Sequence, residues 1–212
     1  MTPLLSILIP TVVGRENELM SIVTRILGFN TLAHDFKEDI VTMKYSDFEI
    51  IYFRDNKEIT IGEKRERLYK YSSGLYSWQI DDDDDISDNA IELILNAIKS
   101  NPDVDVISFE ERVRLDGIEY RSNHSNLYGV WEGDGSRQFE DGFHFHRTIF
   151  FKDVIRTELA KSVPIVHCRY GEDNLYADDL KPFIKSEFHI DQQLYYYNYI
   201  STPHDERYGI NK

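Results

Sequence analysis

Residues 76–85 read YSWQIDDDDD and join an apolar, β-prone segment directly to five consecutive aspartates. Aromatic and β-branched side chains favour strands, so we predict a buried strand over residues 76–80. The aspartates would then lie at the carboxyl end of that strand. In open α/β sheets, ligands bind in the crevice outside the carboxyl ends of the strands. The segment therefore predicts an acidic ligand site at a sheet edge.

The first half of the chain places alternating strands and helices around this segment. Residues 4–9 form an apolar run that ends at Pro10, which is typical of a strand buried on both faces. Further strands are predicted over residues 48–53 and 104–109, and helices over residues 19–27, 62–73 and 88–98. We interpret residues 37–47 as a polar connection. The alternation predicts an α/β fold with a doubly wound, mostly parallel sheet and helices on both faces.

The second half of the chain is less regular. Asp116-Gly117 is typical of a hairpin turn, and the glycine-rich residues 129–142 predict a long loop that acts as a lid or a binding loop. Helices are predicted over residues 150–160 and after Gly171, and a tyrosine-rich strand over residues 194–200. No internal repeat or linker is evident, so we expect one domain over residues 1–212.

Composition and charge exclude several classes of protein. The chain has 212 residues, and 24 Lys and Arg against 38 Asp and Glu give a formal net charge of −14. This excess repels a phosphate backbone and argues against general nucleic-acid binding. The single cysteine, Cys168, cannot form an internal disulfide, and no stretch approaches the ~20 apolar residues of a membrane span. We therefore expect a cytoplasmic protein with no transmembrane segment.

The aspartates at residues 81–85 are the strongest chemical signal in the sequence. Five adjacent carboxylates ionise together only where water or a cation screens them, and hard oxygen ligands are those that Mg²⁺ and Mn²⁺ prefer. A solvated acidic turn is the alternative interpretation. The position directly after a strand favours a metal site, with open coordination positions for the oxygens of a diphosphate.

Four segments, taken in order and spacing, resemble a known family. They are residues 6–11 (SILIPT) followed by Arg15, residues 48–56 (FEIIYFRDN), residues 61–65 (IGEKR), and residues 74–76 (GLY) leading to the aspartates. Together they resemble the family 2 glycosyltransferases of GT-A fold, and the short chain is most similar to bacterial or bacteriophage members. The resemblance implies a GT-A fold, with a nucleotide-binding half over residues 1–110 and an acceptor-binding half over residues 111–212.

The resemblance implies which residues hold a nucleotide-sugar donor. They are Pro10, Thr11 and Arg15 near the nucleoside, Asp55 on the base, Lys64 and Arg65 on the diphosphate or base edge, and Asp81 and Asp82 in the acidic run. Asp55 stands in Arg-Asp-Asn, whereas the family more often has Asp-Asp-Gly-Ser. Lys64 and Arg65 open a predicted helix, whose N-terminus favours anions. An ordinary charged helix face is the alternative for these two residues.

The family's DxD motif binds the metal together with the sugar nucleotide. Aligning residues 74–76 with the family's Gly-Glu-Tyr makes Asp81 and Asp83 the pair, with Asp83 on Mn²⁺ or Mg²⁺. The register using Asp82 and Asp84 remains open. His204 is a further candidate metal ligand, because some GT-A enzymes bring a C-terminal residue onto the ion.

Candidate acceptor residues lie in the second half. Residues 170–173 (YGED) resemble the family's Glu-Asp motif, which implies Asp173 as general base, with Glu172 assisting. A carboxylate within hydrogen-bond reach can take the proton of an attacking hydroxyl, although acids at a helix N-terminus also stabilise the helix itself. His144, His146 and Arg147 are weaker candidates for contacts with the acceptor or the phosphates.

The resemblance implies a metal-dependent glycosyltransferase that moves a sugar from a nucleoside-diphosphate sugar, UDP-linked, to an acceptor hydroxyl with inversion. A metal-dependent nucleotidyltransferase and a non-catalytic nucleotide-sugar-binding module are the alternatives. A glycosidase would need two carboxyls that flank a bond and no nucleotide pocket. The acceptor is a glycan or, for a phage enzyme, a modified nucleic-acid base.

Overall fold

The computed structural model describes residues 2–28 and 39–201. A large mixed sheet forms its centre. The strands are β1 Leu5–Val12, β2 Ile40–Lys44, β3 Phe48–Asp55, β4 Tyr76–Gln79, β5 Asp85–Ile86, β6 Val106–Leu115, β7 Ile118–His124, β8 Phe145–Arg147, β9 Val154–Arg156 and β10 Glu187–Tyr199. Their order in the sheet is β2-β3-β1-β4-β9-β6-β10-β5, and β7 and β8 continue from β6. Strands β3, β1 and β4 are parallel, as predicted.

Helices cover both faces of the sheet. They are α1 Glu16–Leu27, α2 Ile61–Tyr71, α3 Ala90–Ser100, α4 Thr157–Ser162 and α5 Glu172–Leu180, followed by a 3₁₀ turn at Lys181–Phe183. None of the helices in the described part of the chain has the length and apolar character needed to cross a bilayer.

Strand β1 separates two hydrophobic clusters, because its successive side chains point to opposite faces. Leu5, Ile7 and Ile9 pack in the cluster that contains the apolar residues of α1 and α3. Leu8 packs in the cluster on the other face, together with Leu68 of α2 and residues of α5. The strand is buried on both faces, as its continuous apolar run predicts.

Two predicted elements are wrong. Residues 37–47, predicted as a connection, contain β2, which pairs antiparallel with β3. Residues 150–160, predicted as a helix, contain β9, and helix α4 begins only at Thr157. Strand β9 pairs with both β4 and β6, so it joins the strands on the β4 side of the sheet to those on the β6 side. This long-range pairing of β-branched Val154 and Ile155 overrides the local pattern.

The hairpin and the last strand agree with the prediction more closely. Asp116 and Gly117 join β6 to β7 with φ of 49° and 86°, the positive values that a tight hairpin turn requires. Strand β10 begins earlier than predicted, at Glu187, and includes the tyrosine-rich segment up to Tyr199, one residue short of the predicted end. It runs parallel to β6 and carries Tyr195 and Tyr197 toward the aspartates.

Candidate active site

Two adjoining cavities lie at the carboxyl ends of the parallel strands. The β1 cavity, of about 270 Å³, is lined by the end of β1, the start of α2 and the aspartates. The α5 cavity, of about 710 Å³, is lined by the start of α5, residues 150–152 and the end of β10. Ile61, Arg65 and Asp81 line both cavities, so this is the point where they meet.

Asp82 fixes the end of β1 in the β1 cavity. Its carboxylate accepts hydrogen bonds from the Thr11 hydroxyl at 2.6 Å and from the Arg15 guanidinium at 2.7 Å. Burial raises the pKa of Asp82, although Thr11 and Arg15 oppose this shift. Pro10 lines the same cavity. The structure thus brings the predicted residues Pro10, Thr11, Arg15 and Asp82 together.

Lys64 and Asp55 form a buried ion pair behind the β1 cavity. The Lys64 ammonium also donates to the Thr11 carbonyl oxygen at 2.5 Å. Burial opposes the ionisation of Asp55, but Lys64 and the Ile59 amide outweigh it and lower the pKa of Asp55. Lys64 lines the cavity and Asp55 does not. Asp55, predicted to contact the base, therefore lies one side chain away from the cavity.

The five aspartates have different surroundings. Asp84 is buried, 2.9 Å from the Lys152 ammonium, and it accepts hydrogen bonds from the Tyr195 hydroxyl and the Asn198 amide. Burial raises the pKa of Asp84 to about 7, although Lys152 opposes this shift. Asp85 pairs with Arg25 of α1, outside both cavities. The carboxylates of Asp84 and Asp85 therefore do not face the cavities.

Asp81 and Asp83 are the aspartates best placed to meet a ligand. Asp83 lines the β1 cavity, and its side chain is 50% exposed and 3.0 Å from Arg15. Asp81 lines both cavities and lies 2.9 Å from Arg65. Asp82 and Asp84 are buried, whereas the side chains of Asp81 and Asp83 are 22% and 50% exposed. Asp81 and Asp83 are therefore the more accessible of the four, although each contacts an arginine.

Arg65 lines both cavities and forms ion pairs with an acidic residue on each side. Its guanidinium contacts Asp81 at 2.9 Å, Glu172 at 3.2 Å and the side-chain oxygen of Gln79 at 3.1 Å. Burial opposes the charge of Arg65, but Asp81 and Glu172 outweigh it and raise its pKa. Burial raises the pKa of Glu172 despite Arg65. The start of α5 is thereby tied to the aspartates.

Asp173 lies in the first turn of α5 and lines the α5 cavity. Arg147 donates to it at 2.6 Å and also to the side-chain oxygen of Asn174 at 3.0 Å. Burial opposes the ionisation of Asp173, but Arg147 outweighs it and lowers the pKa of Asp173. The guanidinium of Arg147 lies 3.5 Å from the ring centroid of Phe150, which restricts its position. Asp173 is thus a carboxylate that stays ionised at neutral pH.

The motifs in the sequence do not indicate a buried charged cluster beside the α5 cavity, although two of its members, Glu111 and Lys152, line that cavity. Lys152 lies 3.7 Å from Glu111, and His124 lies 3.2 Å from both Glu111 and Asp153. Burial opposes the charging of His124, but Asp153 and Glu111 outweigh it and raise its pKa to about 9. These four residues lie on β6, on β7 and in residues 152–153, with no motif around them. Their one signal is a charged residue within an otherwise apolar run, as at Lys152 and Asp153.

The structure places neither His144 nor His146 at either cavity. His144 accepts a hydrogen bond from the Arg121 amide at 3.1 Å. The ring of His146 is stacked between Tyr128 and Phe139, and its Nε2 lies 2.8 Å from Asp141. The side-chain partners of both histidines lie within residues 120–143. These histidines therefore stabilise that segment and do not contribute to either cavity. Of the predicted residues His144, His146 and Arg147, Arg147 alone lines one of these two cavities.

The candidate metal ligands form an incomplete set of protein donors. Within residues 2–28 and 39–201, no group of three or more His, Cys, Asp or Glu residues could hold a metal ion. His204 lies outside the described residues. Asp81 and Asp83 provide hard oxygen atoms beside the β1 cavity, which is the donor chemistry of Mg²⁺ and Mn²⁺. An ion there would need further oxygens from a ligand or from water.

No protein-family model and no curated protein matches the chain. Among solved structures, S. aureus TarS 1–349 in complex with UDP-GlcNAc matches with a TM-score of 0.61 and 15% identity over 95% of this chain and 60% of that one. The UDP complex of the same protein matches with a TM-score of 0.58 and 16% identity, over 95% and 62%. This chain thus spans about 60% of the length of TarS 1–349. At this identity the matches establish the architecture: the chain has the GT-A fold that its motifs predict.

Proposed function

We propose that this chain is a metal-dependent glycosyltransferase that moves a sugar from a UDP-linked donor to an acceptor hydroxyl, with inversion. The observation that carries the proposal is the meeting of the two cavities at Arg65 and Asp81, with Asp83 on one side and Asp173 on the other. Such an arrangement suits a reaction between two substrates whose reacting atoms must meet. The UDP-GlcNAc and UDP complexes of TarS, which shares the fold, support a UDP-linked donor.

The β1 cavity would take the nucleoside diphosphate. Thr11 and Arg15 line it beside Asp82, and Lys64 and Arg65 approach it from the first turn of α2. The amides of a helix N-terminus favour an anion, so the start of α2 suits a diphosphate. Asp55 would act through Lys64, because the ion pair keeps the ammonium in place.

Mn²⁺ or Mg²⁺ would be held by Asp83 and Asp81, with diphosphate oxygens and water completing the coordination. When bound, the ion neutralises negative charge on the departing diphosphate. Because the protein supplies too few ligands to complete the coordination, the site fits an ion that binds together with the UDP-linked sugar. Arg65, 2.9 Å from Asp81, keeps that carboxylate at the junction of the cavities.

Asp173 would act as the general base. As the acceptor oxygen forms its bond to the anomeric carbon, its proton passes to Asp173, and the bond from that carbon to the diphosphate breaks to release UDP. Attack opposite the leaving group inverts the anomeric configuration. Arg147 keeps Asp173 ionised and oriented, and Arg65 holds the neighbouring Glu172. Correct placement and proton transfer both lower the barrier.

Thermal-shift measurements with UDP, with and without Mn²⁺, test the donor site. We expect UDP to stabilise the wild type only with the metal and to lose this effect in Asp83→Asn. Asp85→Asn is the matched control, because Asp85 pairs with Arg25 outside the cavities. A metal-independent response, equal in wild type and Asp83→Asn, would contradict the metal assignment.

Product analysis with UDP-GlcNAc labelled in the sugar tests the reaction class. Slow, metal-dependent release of UDP with transfer of the label to water or to an added acceptor is expected of a transferase. Formation of a new phosphate ester would instead indicate a nucleotidyltransferase. Donor binding without any turnover would indicate the non-catalytic module.

A further inference from the structure

Trp131 is an exposed aromatic residue on the wall of the α5 cavity. It is one of two tryptophans in the chain, and 43% of its surface is exposed. The other, Trp78, is fully buried in the core. A large aromatic surface left in water at a cavity wall is a candidate ligand contact, because covering it is favourable.

The Trp131 ring is held in a defined orientation. Its indole nitrogen donates to the Gly133 carbonyl oxygen at 3.2 Å, which satisfies the one polar atom of the side chain. The ring centroid lies 5.1 Å from that of Phe145 and 5.1 Å from the Arg147 guanidinium carbon. The part of the ring that remains exposed is therefore apolar, and little side-chain freedom is left to lose on binding.

Arg147 places this ring next to the candidate base. The same guanidinium that lies against Trp131 donates to Asp173 at 2.6 Å. A ligand that covers the indole would therefore lie one side chain away from the Asp173 carboxylate. Asn174 lines the same part of the cavity and offers further hydrogen-bonding atoms.

Resting on the proposed function, we propose that Trp131 is the stacking platform of an acceptor subsite that takes a sugar ring. A pyranose has apolar C–H faces that suit an indole and hydroxyls at its edge that suit Asp173 and Asn174. A nucleic-acid acceptor fits less well, because two of the three arginines that line the cavity, Arg65 and Arg147, are already paired with carboxylates and the chain carries a net charge of −14. The acceptor is thus a carbohydrate.

Tryptophan fluorescence provides a direct test on the full chain with UDP and Mn²⁺ present. The probes are methyl α-D-glucopyranoside, methyl β-D-galactopyranoside and N-acetylglucosamine, with sorbitol as an open-chain polyol and 2′-deoxycytidine as a nucleobase. We expect at least one pyranose to cause a saturable blue shift of the emission, because the exposed indole leaves water. No response to any pyranose, an equal response to sorbitol, or a response to deoxycytidine alone would overturn the proposal.

Ligand-observed NMR saturation transfer extends the test to variants that lack this reporter. Trp131→Phe keeps an aromatic face and should keep binding, whereas Trp131→Ala should weaken it about tenfold, equivalent to 1.4 kcal/mol. Tyr71→Ala, at an exposed aromatic residue of α2 outside the cavities, should bind like the wild type. Equal binding by Trp131→Ala and wild type would overturn the proposal.

The UDP thermal shift, measured in parallel, separates this proposal from the proposed function. Stabilisation by UDP without pyranose binding would remove the subsite and leave the donor assignment standing. Pyranose binding that depends on Trp131, without any response to UDP, would leave the subsite standing and remove the transferase.

Discussion

The more accessible acidic residues of the cavity wall differ from a set of buried acids. Asp81, Asp83 and Asp173 line the cavities, and Asp83 is half exposed. The buried acids are Asp84, Glu111 and Asp153, which are almost fully inaccessible to water, although Glu111 also lines the α5 cavity. Both groups are near cations, but the first group is the more accessible to a ligand.

The difference shows how a chain with a large negative charge keeps carboxylates available at a site. Each of the buried acids has a buried cation as partner: Lys152 for Asp84 and Glu111, and His124 for Glu111 and Asp153. Burying an ion is costly unless it is paired, so these cations are needed where they are. The accessible wall acids should therefore control turnover, and the buried acids should control stability.

Asp173→Asn should give the largest effect on turnover. Without a carboxylate to accept the proton, we expect the rate of UDP release from UDP-GlcNAc to fall about 1000-fold, within the range for general-base catalysis. Stability should change little, because asparagine can still accept a hydrogen bond from Arg147. The exposed Asp178 on the same helix provides the control, Asp178→Asn, which should keep wild-type activity. A loss below tenfold would mean that Asp173 is not the base.

His124→Ala should give the largest loss of stability. Removing the imidazolium leaves Asp153 as a buried carboxylate without its cation and leaves Glu111 with Lys152 alone. Breaking such a buried pair costs about 3–5 kcal/mol. Urea denaturation measures the free energy of unfolding. His167→Ala removes an exposed ion pair with Glu66 and should cost less than about 1 kcal/mol. Equal losses in the two variants would contradict the distinction between buried and exposed pairs.

The same histidine predicts a pH dependence of stability. Its pKa rises from the ordinary 6.5 to about 9 in the folded protein, so the folded state binds more protons than the unfolded state between these values. The contribution is fully present below pH 6.5 and is lost as the pH rises through about 9, on the order of 3 kcal/mol in total. Urea titrations from pH 6 to 9.5 should show a decline in the wild type that His124→Ala lacks. Parallel profiles would contradict the charged state of His124.

His144→Ala should give the smallest effect. The side chain lies at neither cavity and accepts one hydrogen bond from the Arg121 amide. We expect UDP release to stay within about twofold of the wild type and stability within about 1 kcal/mol. A large loss of activity would restore the original hypothesis that His144 contacts the substrates.

Local sequence predicted the parts of the fold that depend on local contacts. The apolar run before Pro10, the segment before the aspartates and the Asp116-Gly117 turn each carry their own pattern, and each forms the predicted element. Strands β2 and β9 were missed because they are short and gain their stability from pairing with distant strands. No local periodicity encodes such pairing.

The residues of the candidate site likewise fall into those that a local motif predicts and those that only the folded structure brings together. The donor-side residues and Asp173 lie in contiguous motifs, and the structure places Thr11, Arg65, Asp81 and Asp173 around the joined cavities. Lys152, Glu111 and His124 became visible only in three dimensions, because each is a single charged residue on a different element. His146 was predicted near the acceptor or the phosphates but lies outside both cavities. In the sequence, a histidine that stacks between two aromatic rings looks no different from one at a site.

Gly62, near the start of α2, has a mechanical consequence. A methyl group at this position would come within 2.1 Å of the Val166 carbonyl oxygen, so the backbone of α2 touches the segment that leads to α5. The spacing between Arg65 and the first turn of α5 is consequently set by direct main-chain contact, with no side chain between the two segments. In a chain built this way, side chains that line the α5 cavity, such as Trp131, can change while the distance between Arg65 and α5 stays constant.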